Sequence, residues 1–489
     1  MNLIQSDYVD EVKKDSLIEK VIPKVLKELD PHTVYIPVKQ MKGISEEMSG
    51  NFSGIGVQFS IQNDTIMVID VISGGPSRQV GILAGDRIVK VNDTIVAGVG
   101  ITNEMVMQKL RGPKGTKVNV SLARPGYDQL IDVQITRGDI PIYSVDVAYM
   151  MNDQTGYIKV SRFGERTYRE FMEGIKKITN AGAQNMIIDL RGNPGGYLPE
   201  VIRMVNEFLA KDELIVYTEG KSRKRELYKA NGMGSCLDKN VVVLIDDFSA
   251  SASEIFAGAI QDNDRGFIVG RRSFGKGLVQ EQIPFVDGSA LRLTVARYYT
   301  PSGRSIQKPY NDGNNYREEI MRRYLHGEFE EADSIQFADS LKFYTREGRT
   351  VYGGGGIMPD YFVPNDTTGF SNYLEHVIAR GLIYSFSFQY ADSHREELNK
   401  LSDADAIEQY LSKEKVYLQF LAYVEKEGIP RNKKDLKISG KVIDTQVKAY
   451  IARNILGEEG FYPIIRKIDT TIDKALEVLE KQKEASSQI

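Results

Sequence analysis

The hydrophobic period of this chain changes along its length, and each change limits what the next stretch can become. Leu17, Ile18, Val21 and Ile22, then Val25, Leu26 and Leu29, recur at helical spacing until Asp30-Pro31, which predicts a helical arm over residues 1–44. Over residues 45–138 the period shortens to that of strands: Gly54-Ile55-Gly56-Val57-Gln58-Phe59, Ile66-Met67-Val68-Ile69-Asp70-Val71 and Val118-Asn119-Val120-Ser121-Leu122, punctuated by Gly74-Gly75-Pro76 and Gly112-Pro113-Lys114-Gly115. A compact, mostly β module follows. Residues 139–365 then alternate strands with helices: Gly156 to Val160, a helix near 166–181, Met186 to Leu190, a helix near 198–210, Val241 to Ile245, and a helix near 252–262. Such alternation predicts an α/β core, here with a charged helical insertion at about 311–350. Residues 366–489 return to helical spacing, with Ile443, Val447, Ile451 and Ile455, and then Ile468, Ile472 and Leu476, as stripes for core or subunit contacts.

A length of 489 residues exceeds what one core organises, so roughly two to four domains are expected. The formal net charge of −4 is small for that length, which argues against nucleic acid or an anionic membrane surface as the main partner. Cys236 is the one cysteine, so no disulfide can close within the chain and no multi-cysteine zinc site can form. His32, His326, His376 and His394 are scattered, without a His-Glu-x-x-His arrangement; neither a catalytic metal nor a cofactor is expected. Met1-Asn2-Leu3-Ile4 runs at once into Asp7, Asp10, Glu11, Lys13 and Lys14, leaving no apolar region of an export signal. No run of about 18 apolar residues occurs, so no integral membrane segment is expected.

The chemistry concentrates in three stretches. Asp247-Phe248-Ser249-Ala250-Ser251-Ala252-Ser253-Glu254 carries a buried strand directly into a helix. A hydroxyl at a helix start lies beside unpaired N–H groups and the positive end of the dipole, which suits an oxyanion. Ser251-Ala-Ser-Glu254 is equally a capping box, so this stretch alone leaves nucleophile and cap both open. Gly270-Arg271-Arg272-Ser273-Phe274-Gly275-Lys276-Gly277-Leu278-Val279-Gln280 brackets a lysine with glycines just before a strand. Turned inward and desolvated, the Lys276 amine loses its proton more readily and serves as a general base; a solvated lysine in a flexible loop is the other reading. Gln280 shares a strand face with Lys276 and is placed to fix its rotamer. Asp189-Leu190-Arg191-Gly192-Asn193-Pro194-Gly195-Gly196 follows a buried strand, and its Gly195-Gly196 pair can offer N–H groups to an oxyanion alongside that of Ala252. A turn needing glycine for shape is the alternative.

Taken together, these stretches resemble the carboxyl-terminal processing, or tail-specific, proteases over about residues 15–362. Leu29-Asp30-Pro31-His32-Thr33 with Tyr35-Ile36-Pro37, Gln261-Asp262-Asn263 and Tyr299-Thr300-Pro301-Ser302-Gly303-Arg304-Ser305-Ile306-Gln307 complete the likeness. The resemblance implies a multidomain α/β protein whose core is like those of the crotonase and Clp protease superfamily, with an inserted PDZ domain over 45–138. It implies Ser251, the middle serine of its motif, as nucleophile, Lys276 as base and Gln280 as its partner. It further implies that the loop Gly54-Ile55-Gly56-Val57 receives a terminal carboxylate, while Val57 and Phe59 line a pocket for an apolar last residue and the peptide adds a strand to the sheet. Substrates would be proteins or peptides with free, apolar carboxyl termini. The family's usual setting is the periplasm or cell envelope, which here would require a trimmed leader. A homo-oligomer fits the helical stripes as well as intramolecular packing does. Two other readings compete: a catalytically silent peptide-binding scaffold of the same fold, which the intact Ser251, Lys276 and Gln280 count against, and acyl-CoA chemistry, for which a PDZ module has no obvious use.

Overall fold

The structure, a computed structural model, describes residues 2–486 apart from 12, 73, 125, 311–315, 317 and 332–337. The chain divides into two compact units, one made of residues 1–49, 144–365 and 471–489 and the other of 50–143 and 366–470.

In the first unit a six-stranded sheet runs in the order Val145–Met150, Thr155–Val160, Asn185–Asp189, Asn240–Ile245, Phe267–Gly270, Tyr361–Phe362. Its first pair is antiparallel and the rest are parallel. Parallel neighbours need crossovers, and the helices Thr167–Asn180, Leu198–Asn206 and Ala252–Asp262 supply them. Met186, Ile187 and Ile188, with Val241 to Ile245, have no exposed surface at all, as strands covered on both faces should. Each such side chain contributes about 1.5–3 kcal/mol on burial, so the strand ends that carry the motifs are held by a rigid floor. A second sheet joins Val34–Ile36, Ala290–Tyr299, Leu214–Glu219 and Glu226–Lys229, with Leu278–Pro284 also paired to Ala290–Tyr299.

The second unit holds a six-stranded antiparallel sheet, Val57–Gln62, Thr65–Val71, Arg87–Val91, Lys117–Ala123 and Ile131–Thr136, with Thr94–Ile95 pairing beside Arg87–Val91. The helices of 366–470 pack around a separate apolar cluster that includes Phe386, Phe420, Ile443, Val447 and Ile451, so the first predicted stripe is core.

Several boundaries differ from those the periodicity predicts. The N-terminal helix Lys14–Leu26 is followed by the strand Val34–Ile36 and the helix Val38–Ser49, so the arm is not helical throughout. Within the insertion the α-helix Glu319–Leu325 and a short 3-10 turn, Asp339–Leu341, are the helical segments among the described residues, and Lys342–Tyr344 pairs with Thr350–Tyr352 as a hairpin. The last helix, Thr470–Ser486, belongs from residue 471 to the first unit and buries Ile472, Ala475, Val478 and Leu479.

Candidate active site

Ser251 stands between the strand Asn240–Ile245 and the helix Ala252–Asp262, with φ 55° and ψ −111°. That backbone favours glycine, and a serine held there marks a position the surroundings over-determine. Much of the holding comes from Glu254. Its Oε2 accepts the N–H of Ser251 at 2.8 Å and that of Lys276 at 2.9 Å. Its Oε1 accepts the Ser273 hydroxyl at 2.5 Å and the Gly275 N–H at 2.7 Å. One fully buried carboxylate therefore ties the main chain of the serine to that of the lysine. Burial pushes its pKa up to about 7, against the pull of those hydrogen bonds toward the ionised form. From the carbonyl side the buried Tyr298 hydroxyl lies 3.1 Å from Ser251 O and also donates to Lys276 O.

The side chains take up this frame differently. Lys276 Nζ donates to Gln280 Oε1 at 3.1 Å, and no hydrogen bond joins it to Ser251 Oγ. The half-buried amine has its pKa lowered, first by desolvation and next by the Arg292 charge, while Glu254 and Asp30 oppose the shift.

The glycine pair lies against the serine. A Cβ on Gly195 would meet Ser251 Cβ and Ala250 O at 2.7 Å and Ala252 N at 2.9 Å, so only glycine allows this approach. The Gly195 N–H is taken by Asn193 Oδ1 at 2.9 Å. Among the described residues, neither the Gly196 N–H nor the Ala252 N–H has an acceptor. Asn193 also locks the loop to the helix start, its carbonyl accepting Ala250 N–H at 3.0 Å and the Ser253 hydroxyl at 2.9 Å. Ser251, Ala252, Gly195 and Lys276 with Gln280 are thus gathered in one place.

Three contributors escaped the sequence reading: Tyr298, Asn193 and the turn at residues 30–33. Asp30-Pro31 read as a helix stop and, with His32-Thr33, as part of the family likeness, with no role at the site; Gln280 Nε2 donates to His32 O at 2.6 Å. His32 Nε2 lies 2.9 Å from the Tyr316 hydroxyl. Burial first, then the Lys276 charge, pushes the His32 pKa from 6.5 down to about 4. The unfolded chain therefore binds this proton more tightly, and acidification from pH 6.5 toward 4 draws stability away. In urea titrations the difference between wild type and His32→Gln should be flat above that window and slope within it; parallel pH profiles would contradict the assignment.

In the second unit, Gly54 ends the strand Asn51–Gly54 and pairs with Gly138, and Gly56 has φ 80°. The Ile55 side chain is in the core, and Val57 and Phe59 are partly buried against it. Among the described residues the N–H groups of Ile55 and Gly56 have no acceptor, while the two carbonyls accept from Ser77 and Ile72. Among the described residues Val57–Gln62 is the edge strand of its sheet, paired with Thr65–Val71 alone. No cluster of His, Cys, Asp and Glu suited to a metal occurs among the described residues, and no helix there is long and apolar enough to cross a membrane.

Peptidase family S41 matches residues 154–312, the PDZ domain matches 53–135, and a family of unknown function (DUF8443) matches 373–457. A carboxy-terminal-processing protease of Bartonella bacilliformis is 38% identical over 309 residues, which is 62% of this chain and 70% of that protein. The carboxy-terminal processing protease CtpA of Bacillus subtilis is 36% identical over 306 residues, 62% of this chain and 65% of its own length. A solved photosystem II D1 C-terminal processing protease superposes with a TM-score of 0.40 at 24% identity, over 74% of this chain and 86% of that one. With a PDZ module, an S41 segment that holds the serine and lysine motifs, and a relative matched over most of its length, this chain belongs to the carboxy-terminal processing proteases, a family of serine peptidases.

Proposed function

We propose that the chain is an endopeptidase in which Ser251 is the nucleophile and Lys276 the general base, and that it cuts proteins near carboxyl tails captured by its PDZ domain. The observation that carries the reading is the double tie between the two residues: Glu254 Oε2 holds both N–H groups, and Tyr298 reaches both carbonyls. With the main chains so joined, an adjustment of the flexible lysine stem would let Nζ accept from Ser251 Oγ while it still donates to Gln280.

Neutral Lys276 accepts the Ser251 proton as Oγ attacks the scissile carbonyl. The developing oxyanion is held by the N–H groups of Ala252 and Gly196, the two left without acceptors; Gly195 supplies the close approach rather than a donor. Lys276 then protonates the leaving amine, and the neutral lysine activates water to release the acyl group from Ser251. Because burial lowers the lysine pKa, turnover rises with pH along a limb lying below lysine's ordinary 10.5.

Tail capture is supported by the acceptor-less N–H groups of Ile55 and Gly56, which suit a terminal carboxylate, and by the unpaired edge of Val57–Gln62, which suits an added strand. Val57 and Phe59 would flank the last side chain. An extracytoplasmic place of action, expected from the resemblance, belongs to this proposal. The test is digestion of a model protein carrying an apolar tail, with its terminus free or amidated, by wild type and by Ser251→Ala. Cleavage should vanish in the variant, and amidation should raise KM by about tenfold or more, in line with a lost charge-assisted contact. Cleavage that survives in Ser251→Ala sinks the nucleophile; indifference to amidation sinks the tail reading.

A further inference from the structure

The sequence motif Asp30-Pro31-His32-Thr33 has no role in the mechanism above, although it lies against the base. Asp30 Oδ1 accepts the N–H groups of His32 at 2.8 Å and Thr33 at 2.9 Å, and its Oδ2 accepts the Thr33 hydroxyl at 2.5 Å. Thr33 Oγ1 in turn accepts the N–H of Thr294 at 3.2 Å, which fastens the turn to the strand Ala290–Tyr299. Both Asp30 and Thr33 are buried. So anchored, the turn presents the His32 carbonyl to Gln280 Nε2 at 2.6 Å, and the other end of that amide meets Lys276 Nζ at 3.1 Å.

We propose that the Asp30–Thr33 turn is a positioning element for the base: it fixes which end of the Gln280 amide faces Lys276, and so keeps the lysine lone pair available to Ser251.

The reason lies in what each group can donate. A carbonyl only accepts, so the His32 oxygen requires the NH2 end of the amide and leaves the oxygen end for the lysine. Lys276 can donate to that oxygen whether it is an amine or an ammonium, because both carry N–H groups. With the amide reversed, its NH2 would point at the lysine, and the single lone pair of the neutral amine would accept from Gln280 instead of from the serine hydroxyl. Asp30 therefore sets the direction of the Gln280 amide at a distance, through the turn, in addition to the direct pull of its charge on the Lys276 amine. It does not touch the reacting atoms.

This inference rests on the Ser251–Lys276 reading. It is tested by a cycle on the full chain with peptide hydrolysis as the readout, using wild type, Asp30→Ala, Gln280→Ala and the double variant. Asp30→Ala should lower kcat by roughly 10²-fold, the scale of a misaligned catalytic group, with KM nearly unchanged. In the Gln280→Ala background the same change should cost less than about twofold, since its route is already cut. Asp30→Asn, which can still accept the two N–H groups, should recover most of the rate. Equal costs in both backgrounds would overturn the proposal, because a general structural role adds independently. If Asp30→Ala gives no cooperative melting transition, Thr33→Val takes its place in the cycle, with the same two outcomes. Hydrolysis that persists in Ser251→Ala would instead fault the underlying reading, and so the two failures are separable.

Discussion

Lys276→Met is expected to lower kcat for peptide hydrolysis by roughly 10²- to 10⁴-fold, the range a positioned general base contributes. Methionine keeps most of the stem, so the packing around residue 276 survives and the loss isolates the amine. The pH-dependent limb should go with it, leaving a flat, low rate. Stability should move the other way. The folded protein binds the lysine proton less tightly than the unfolded chain does, because burial opposes the charge, and removing the amine relieves that opposition near neutral pH. A variant that melts no lower than wild type and turns over at least a hundredfold more slowly fits the scheme; one that retains wild-type turnover ends it.

Glu254→Ala carries the largest expected cost in stability. It strips the acceptor from three backbone N–H groups, those of Ser251, Gly275 and Lys276, and from the Ser273 hydroxyl, in a site with no exposed surface at the carboxylate. Each stranded donor costs about 1–3 kcal/mol, so a loss of about 4 kcal/mol or more is expected even with some relaxation. Urea unfolding measures it through the midpoint, and on the proposed mechanism turnover should fall with it because Ser251 and Lys276 lose a shared anchor. Glu254→Gln should lie between, since an amide oxygen can keep two of the donors while its NH2 faces the other two. Full stability in Glu254→Ala would show that the carboxylate is not the tie it forms in the fold.

How far the site could be read in advance depended on how far apart its parts lie in the chain. Ser251 and Glu254 are neighbours on one helix start, and Lys276 lies just ahead of the strand Leu278–Pro284 that holds Gln280, so each pair left a local signature, although the two do not share a strand face as the sequence suggested. The partner of Gln280 lies 248 residues away, at His32. No periodicity connects those positions, and Asp30-Pro31 carried a sufficient local meaning as a helix stop. The Gly195-Gly196 pair was legible as a source of N–H groups, but which of the two is taken depends on the Asn193 side chain, a tertiary fact. Tyr298 left no mark, being one aromatic in a strand of mixed composition. In the fold, the central parallel strands at residues 186–190 and 241–245 were plain from their apolar runs, whereas Phe267–Gly270 and Tyr361–Phe362 are too short to announce themselves. The hairpin at residues 342–352 was hidden by charges that suit a helix equally well. The last helix resembled its predecessors in pattern and differed only in what it packs against.

The backbone angles of Ser251 bear on how such an active site persists. A residue with a side chain at φ 55°, ψ −111° is uncomfortable by about 1–3 kcal/mol. Glycine would sit there at ease, so selection for folding alone favours abandoning the hydroxyl. On the proposed mechanism the discomfort is tolerated for what the serine oxygen does, and copies of this gene released from that demand would have an easy downhill path to silence.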